Sequence, residues 1–389
     1  MKHYRLTARL ESPLAIQKAR QSHASAGLDY LPGSSLRGAL AAQLLRRGGR
    51  PEDAVFRALF IEDQVCFPNL LPTDDPRVTS QVLPLTVLTC KRRQGFRTQK
   101  GDGVEDSLAL SAGNRLLANW NNPKAWDCKV CGQERIPFYG FWNGNVDAPW
   151  KYEVSMTFQR HTGIDRVTGT VALEIFYTTQ AVANFRKNIT TGEFHPQHLS
   201  GGMWLRDEHA GFLRTLCQGD SLFVGADRTR GLGEITLELE EASAPELDQN
   251  AWGEWDQGFK DKFHRVTSQN LPEGRYFSIT LASPAILVDE FLRPTARLPL
   301  TFPGLDPEPL VQVAKSHLVR GWQSSWGLPK PDDLALSAGS VFLWRYHGDD
   351  FHAMTAELQR ITQEGIGLRR EEGFGRLTVC ELLNVREVI

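Results

Sequence analysis

Two of the six cysteines form a Cys-x-x-Cys pair, whose spacing suits metal binding. Cys128 and Cys131 are separated by two residues and followed by Gly132, which favours a tight turn that brings both thiolates to one ion. The pair lies in a stretch with weak hydrophobic periodicity, and a structural Zn²⁺ would fold such a stretch without a core of its own. Redox chemistry is less favoured, because no thioredoxin-like βαβ pattern surrounds the pair.

A tetrahedral zinc site needs two further ligands. Cys90 is the predicted third ligand, and Cys66 is the best remaining thiol for the fourth. A further ligand would be expected in the stretch KGDGVED, but this stretch contains no histidine. Free thiols, or a degenerate site without metal, are the alternative. A disulfide framework is not expected, since six cysteines are few for a chain of 389 residues without a signal peptide.

The segment CKRRQGFRTQK is a local concentration of positive charge without an acidic residue. Its cations are Lys91, Arg92, Arg93, Arg97 and Lys100. Cations interleaved with Phe96 could neutralise phosphates and stack a base, which is how proteins bind single-stranded RNA. A solvated loop is the alternative.

Two Gly-hydrophobic-Gly triplets, separated by five residues of which four are charged, form most of the segment GIGLRREEGFGR at 365–376. Glycines allow close backbone approach to a ligand, and arginines supply charge for phosphate, so a nucleic-acid backbone is the natural ligand. The alternatives are a plain glycine-rich hairpin and, less favoured, a nucleotide loop, because these glycines precede a strand. The segment GADRTRGLG at 225–233 is a degenerate copy that contains Arg228 and Arg230.

Strand and helix patterns occur in the same order twice along the chain. HYRLTARLESPLAI alternates like a strand and is followed by a helix pattern that begins at Ser34 or Ser35, whereas RYFSITLASPAILVD starts the second series. The sequence therefore predicts an α+β fold with two tandem ferredoxin-like (RRM-like) domains. The predicted bounds are 1–242 for the first domain, with an irregular cysteine-containing insertion at about 61–150, 243–272 for a linker, and 273–389 for the second domain.

Composition limits the possible functions. The formal net charge of −2 excludes a general nucleic-acid binder, so any such binding must come from local patches. No apolar run approaches the ~18 residues that a membrane span needs, and we expect the protein to remain in the cytoplasm.

Together with YLPGSSLRGAL after the first strand, the two glycine-rich segments closely resemble those of the RAMP superfamily of CRISPR-associated proteins. HTGIDRVTGT, the terminal GIGLRREEGFGRL and the cysteine-bearing insertion resemble more narrowly the double-domain RAMP subunit of type III-D effector complexes. The resemblance spans nearly the whole chain. It implies a non-catalytic subunit of an antiviral ribonucleoprotein that binds CRISPR RNA near its 5′ repeat-derived handle. The implied partners are a large signalling subunit and backbone RAMP subunits, with target RNA nearby.

The resemblance also implies which residues contact RNA. It places the start of the first helix against a phosphate, where backbone donors and the helix dipole favour an anion. The implied contacts are Ser34, Ser35, Arg37 and Gly38 at this helix, and Arg228, Arg230, Arg369, Arg370, Gly373, Phe374 and Gly375 in the glycine-rich loops. Solvated surface is the alternative for each arginine, and a core position is the alternative to base stacking for Phe374.

Two other functions stay open. Related endoribonucleases that process CRISPR RNA place a histidine between the first strand and helix, where this chain has His23, and target-cleaving RAMP subunits use a loop aspartate, for which Asp29 is the candidate. Neither has an identifiable catalytic partner, so we predict no catalysis. A protein-only scaffold is the remaining alternative.

Overall fold

The computed structural model describes residues 1–20, 24–117, 120, 122–187, 192–219, 221–244, 247–323 and 327–387. The helices in this part of the chain are α1 (Gly33–Arg46), α2 (Ala54–Phe60), α3 (Leu108–Leu116), α4 (Asp207–Cys217), α5 (Gln249–Thr267) and α6 (Phe351–Glu364). Among these residues, no helix is both long and apolar enough to cross a membrane. The mixed α and β fold predicted from the sequence is confirmed.

The strands are short and almost all antiparallel. Those before residue 243 are β1 (Lys2–Leu10), β2 (Gln17–Arg20), β3 (Ala24–Gly27), β4 (Leu71–Thr73), β5 (Gln81–Val82), β6 (Val87–Cys90), β7 (Val104–Asp106), β8 (Arg135–Pro137), β9 (Phe141–Trp142), β10 (Lys151–Tyr152), β11 (Met156–Ile164), β12 (Val171–Val182), β13 (Phe185–Lys187), β14 (Phe194–Pro196), β15 (His198–Leu205), β16 (Leu222–Phe223) and β17 (Glu234–Glu241). Those after it are β18 (Arg275–Leu281), β19 (Glu308–Val313), β20 (Ser316–Val319), β21 (Trp322–Gln323), β22 (Leu328–Pro329), β23 (Asp333–Leu336), β24 (Val341–Tyr346) and β25 (Leu377–Val379).

The N-terminal half is built on a five-stranded antiparallel sheet in the order β16-β17-β1-β15-β4. The alternation in β1 buries Tyr4, Leu6, Ala8 and Leu10, as a strand with one face on a core requires. Helices α1 and α4 contribute leucines to the same hydrophobic cluster. A hairpin of β11 and β12 lies between the edge strand β4 and the central strand β15 in the chain.

The C-terminal half is built on a four-stranded antiparallel sheet in the order β19-β24-β18-β25. Six consecutive residues of the central strand β18 are buried, so both faces of this sheet are covered. Helices α5 and α6 provide part of the cover. A second hairpin region, β20 to β23, again lies in the chain between the edge strand β19 and the central strand β24.

The segment predicted as a linker, 243–272, contains helix α5 and differs from that prediction. Asp248 caps the helix by accepting a hydrogen bond from the Ala251 amide at 2.7 Å. Its aromatic residues then repeat along one buried face, and these are Trp252, Trp255, Phe259 and Phe263. The indole of Trp252 donates to the carbonyl of Tyr276 in β18 at 2.7 Å. The Pro, Gly and acidic residues of this segment suggested a linker, but its aromatic residues have the spacing of an amphipathic helix, which packs on the core of the C-terminal half.

The insertion at 61–150 forms several small units. Strands β6, β7 and β8 make one sheet, and β10, β9 and β5 make another. A small hydrophobic cluster that includes Phe96, Phe138 and Trp142 supports them. Helix α3 leaves this cluster and packs on α5, where Leu108 and Ala112 join the core of the C-terminal half. The insertion therefore ties the two halves together.

Candidate nucleic-acid interface and metal cluster

The two glycine-rich segments fold into the same backbone structure, 142 residues apart. In each, a residue in the left-handed conformation is followed by one turn of 3-10 helix and a glycine of positive φ. Three pairs of equivalent hydrogen bonds hold the two loops. Gly233 N donates to Pro13 O (2.9 Å) as Gly375 N does to Pro284 O (2.8 Å), and Val224 N donates to Gly233 O (2.8 Å) as Ile366 N does to Gly375 O (2.9 Å). In the third pair, Glu234 N donates to Ser12 Oγ and Arg376 N to Ser283 Oγ, each at 2.9 Å. The copy predicted from the sequence is confirmed.

Packing within the protein explains why these positions are glycines. A Cβ on Gly233 would lie 1.9 Å from the carbonyl oxygen of Val224, and one on Gly375 would lie 1.7 Å from that of Ile366. The amides of both glycines donate to protein carbonyls. The prediction that the glycines offer these amides to a ligand is therefore wrong for Gly233 and Gly375.

The surroundings of the two loops differ. In the second loop, Gly373 lies against the carbonyl of Phe67 and the side chain of Asn69, because the start of α1 packs on it. In the first loop, the equivalent Gly231 has open space where a Cβ would be. Among the described residues, the first loop is therefore the less covered of the two at this glycine.

Helix α1 begins differently from the prediction. Pro32 is the N-cap, and the Gly33 amide donates to Asn69 Oδ1 at 2.9 Å, so neither Ser34 nor Ser35 caps the helix. Both serines are half-buried, whereas Gly38 is exposed. Arg37 donates to the carbonyl of Phe60 at 2.7 Å and lies 3.7 Å from Asp63. The start of α1 therefore offers little free positive charge.

Arg369 is bonded to other side chains of the protein. Its guanidinium bonds to Asp333 and Glu372, each at 2.7 Å, and lies 5.0 Å from the ring centre of Phe374. Glu372 also accepts from Lys330 at 2.6 Å. Burial favours the neutral form of Arg369, but the two carboxylates outweigh it and raise the pKa above its usual value. The charge of Arg369 is already paired within the protein.

We expect Arg369→Met to lower the free energy of unfolding by about 1–3 kcal/mol, because it leaves Asp333 without its bonded cation and Glu372 with Lys330 as its bonded cation. Arg370→Met is the matched control, since Arg370 is exposed and its loss should change stability by less than about 0.5 kcal/mol. Urea unfolding followed by circular dichroism measures both. Equal effects of the two substitutions would contradict the structural role of Arg369.

The exposed arginines of the first loop lie next to half-buried aromatic residues of the β11–β12 hairpin. Arg228 and Arg230 are exposed, and Arg230 pairs with Asp227 at 3.0 Å and donates to the hydroxyl of Tyr177 in β12. His161 of β11 stacks on Tyr177 with ring centres 4.7 Å apart. Sequence reasoning missed both rings, although the register of β11 and β12 pairs them directly.

The basic segment 91–100 keeps only part of its predicted role. Arg92, Arg97 and Lys100 are exposed, but Lys91 pairs with Glu134 at 2.9 Å. Arg93 is also exposed and lies 3.8 Å from Asp102. Phe96 is fully buried, with its ring 5.7 Å from Phe138 and 6.0 Å from Trp142. The prediction that Phe96 stacks a base is wrong, because its ring anchors the segment in the core of the insertion.

Four metal-binding side chains converge at one end of the sheet β7-β6-β8. The ligand atoms of Cys90, Asp102, Cys128 and Cys131 all lie within 4.8 Å of one another, and the sulfurs of Cys90 and Cys131 are 3.4 Å apart. Cys90 ends β6, Asp102 precedes β7 and the Cys-x-x-Cys turn precedes β8. Thiolates and a carboxylate are all ligands that Zn²⁺ accepts.

The prediction of Cys66 as the fourth ligand is wrong. Cys66 is half-buried and precedes Phe67, whose amide donates to Glu371 O of the second glycine-rich loop at 3.2 Å. Asp102 stands in its place, within the stretch KGDGVED where a further ligand was expected. The fourth side chain of the cluster therefore carries a carboxylate and not an imidazole.

Backbone amides point at two of the sulfurs. Burial raises the pKa of Cys90 to about 11, against the effect of hydrogen bonds from the amides of Arg93 and Arg92. Burial also acts on Cys128, but the amides of Cys131 and Val130, with the neighbouring thiols, outweigh it and lower its pKa. At both sulfurs the N–H groups act in favour of the thiolate, which is the form that binds a metal, and at Cys90 burial outweighs them.

Only one of the two candidate catalytic residues lies in the part of the chain that the structure describes. His23 lies outside the described residues. Asp29 is exposed in the loop before α1.

Comparisons with known proteins place this fold in a family. A search of curated protein sequences found no significant match. A chain of the type III-B Cmr-β complex bound to cognate target RNA is similar at 12% identity and a TM-score of 0.44, with 93% of this chain and 96% of that chain covered. A chain of the Csm3–Csm4 subcomplex of the type III-A interference complex is similar at 12% identity and a TM-score of 0.34, with 90% of this chain and 94% of that chain covered. Cas6 of Thermus thermophilus is similar at 11% identity and a TM-score of 0.32, with 97% of each chain covered.

These structural similarities are too low to support an argument about function. The family model is more specific, because the model of the RAMP superfamily matches residues 7–236. Since this match covers more than half of the chain, the protein belongs to the RAMP superfamily.

Proposed function

We propose that this protein is a non-catalytic subunit of a type III CRISPR effector complex, of the III-D kind, that binds the guide CRISPR RNA near its 5′ repeat-derived handle. The observation that carries this proposal is the first glycine-rich loop, where exposed Arg230 bonds to Tyr177 of the stacked His161–Tyr177 pair and exposed Arg228 lies in the same turn. Cations beside an aromatic platform suit single-stranded RNA. Its partners would be CRISPR RNA, the large signalling subunit and backbone RAMP subunits.

We infer that each half is a ferredoxin-like domain. The sheet orders β17-β1-β15-β4 and β25-β18-β24-β19 place four strands in the same spatial sequence, and α4 and α6 each precede the last strand of their half. The proposed first domain is 1–242, and the second is 273–389 with α5 added to it.

The RNA surface combines the first loop with the exposed cations of the insertion. Its proposed members are Arg228, Arg230, His161, Tyr177, Arg92, Arg97 and Lys100. Arg370 is exposed and could contribute from the second loop. Arg37 and Arg369 are left out, because their guanidinium groups are bonded within the protein. Zn²⁺ is the proposed metal of the cysteine cluster, with a structural role.

Guide binding is tested by purifying the protein with its neighbouring subunits and sequencing the RNA that accompanies it. Repeat-derived RNA is expected with the wild type. Arg228→Glu should weaken binding of that RNA by roughly tenfold and lower the salt slope by about 1, because one phosphate contact is lost and a negative charge is added. Arg50→Glu is the control, since Arg50 is exposed after the far end of α1.

Two outcomes would contradict this function. Equal RNA binding by wild type and Arg228→Glu, or no RNA at all, would favour a protein-only scaffold. Cleavage of precursor RNA by wild type that His23→Ala abolishes without weakening RNA binding would favour an endoribonuclease.

A further inference from the structure

The basic segment lies between two of the four clustered metal ligands. Cys90 and Asp102 stand at its ends, and every cation of the segment lies between them, namely Lys91, Arg92, Arg93, Arg97 and Lys100. An ion bound to both ends would close these residues into a ring. The cluster and the segment therefore form one structural unit, which we call the basic loop (91–101).

The middle and C-terminal part of the basic loop are attached to the rest of the protein through Thr98, which donates to Pro149 O, and through Gln99, which exchanges two hydrogen bonds with the backbone of Lys151. Phe96 is its one fully buried large side chain, and the Gly95 amide donates to Thr89 Oγ1 at 2.9 Å. At its start, Lys91 N donates to Glu134 O at 3.1 Å, and at its end Asp102 N donates back to Arg93 O at 3.0 Å. Its middle is thus anchored, while its two ends meet at the cluster.

The other side of the cluster is held independently. Lys129, inside the Cys-x-x-Cys turn, pairs with Glu105 of β7 at 2.9 Å, and Arg135 of β8 pairs with the same carboxylate at 2.5 Å. Arg135 and Glu105 are both more than nine-tenths buried. These ion pairs fix the turn that carries Cys128 and Cys131 against the sheet. Loss of a metal would therefore release the basic loop more than the turn.

Asp102 is the observation that points to a cation. Its side chain is only 9% exposed and faces three sulfurs, and the cation paired with it is Arg93 at 3.8 Å. A buried carboxylate without a closely bonded positive partner is costly. A divalent ion shared with the three sulfurs would supply that charge at the point where the four side chains meet.

We propose that Cys90, Asp102, Cys128 and Cys131 bind one Zn²⁺ that closes the basic loop and holds its exposed arginines in an RNA-binding conformation, so that RNA affinity depends on the metal. This inference rests on the proposed function for its RNA-binding step alone. The ion makes no contact with RNA in this scheme. It acts through the loop, which keeps Arg92 and Arg97 on the same surface and reduces the entropy lost when RNA binds.

Metal content and trypsin cleavage test loop closure without RNA. The purified wild type should contain about one Zn²⁺ per chain by mass spectrometry of the metal. Trypsin cuts after Lys and Arg, so it should cut the basic loop slowly in the zinc-loaded protein and at least about tenfold faster after chelation. Asp102→Asn and Cys131→Ser should lose zinc and be cut like the chelated protein. Cys217→Ser is the control, because Cys217 is buried in α4 outside the cluster.

RNA affinity tests the consequence, with a labelled single-stranded RNA of the repeat sequence as the probe. We expect chelation to weaken binding by about tenfold or more and added Zn²⁺ to restore it, because two or more phosphate contacts come from the loop. A metal-free wild type whose cleavage does not respond to added zinc overturns the zinc site. Zinc-dependent protection with unchanged RNA affinity overturns the coupling. Protection in a protein that binds no RNA supports loop closure and contradicts the proposed function instead.

Discussion

Truncating Phe259 to alanine is expected to lower the free energy of unfolding of the C-terminal half by about 3–5 kcal/mol. Phe259 is fully buried on α5, stacks on Trp255 at 5.2 Å and lies 6.3 Å from Tyr276 of β18. Its removal leaves a cavity between the helix and the sheet, which neighbouring rings cannot fill without moving. Urea unfolding followed by circular dichroism measures the loss.

Phe291→Ala is the matched control, since the same ring is removed where it is 67% exposed. We expect it to change stability by less than about 0.5 kcal/mol. If Phe259→Ala had an equally small effect, α5 would not be part of the core, and the interpretation of 243–272 as a linker would be restored.

A methyl group at Gly375 is expected to cost about 2–5 kcal/mol, and the same change at Gly233 should cost a similar amount. Each residue has a positive φ, and each Cβ would lie under 2 Å from a carbonyl oxygen of the facing backbone. Backbone cannot move aside as a side chain can, so the loop must distort. Thermal or urea unfolding of Gly233→Ala and Gly375→Ala tests whether the two loops share one structural requirement.

Gly231→Ala is the control for backbone conformation. Gly231 also has a positive φ, but a Cβ there would meet nothing within 4 Å. Only the conformational cost of about 1–2 kcal/mol should appear. Equal losses at Gly231 and Gly233 would show that the close approach to Val224 does not matter.

Several elements could be predicted from the sequence because their signals are local. The heptad-like spacing in FHAMTAELQRITQE predicts α6, which spans Phe351–Glu364, and the strand patterns before each Ser-Pro predict β1 and β18. The two glycine-rich segments were recognised as copies because their glycine spacing is imposed by backbone contacts within each half. Period and spacing along the chain are sufficient for such features.

Other features depend on residues that only the fold brings together. Asp102, and not Cys66, completes the cysteine cluster, because the ends of β6, β7 and β8 meet there. Arg369 is paired because Asp333, 36 residues earlier in the chain, reaches it from a hairpin. An arginine or an aromatic ring has the same letter whether it is free or bonded.

The sequence by itself determined the mixed α and β fold, the repeated loops, the Cys-x-x-Cys turn and membership of the family. The tertiary structure decided which loop is less covered, where Phe96 points and which donors surround a metal. The division has a physical reason. Helix and strand periods, tight turns and close backbone packing are set by neighbours in the chain, whereas ion pairs, ligand sets and exposed surfaces require contacts between distant segments.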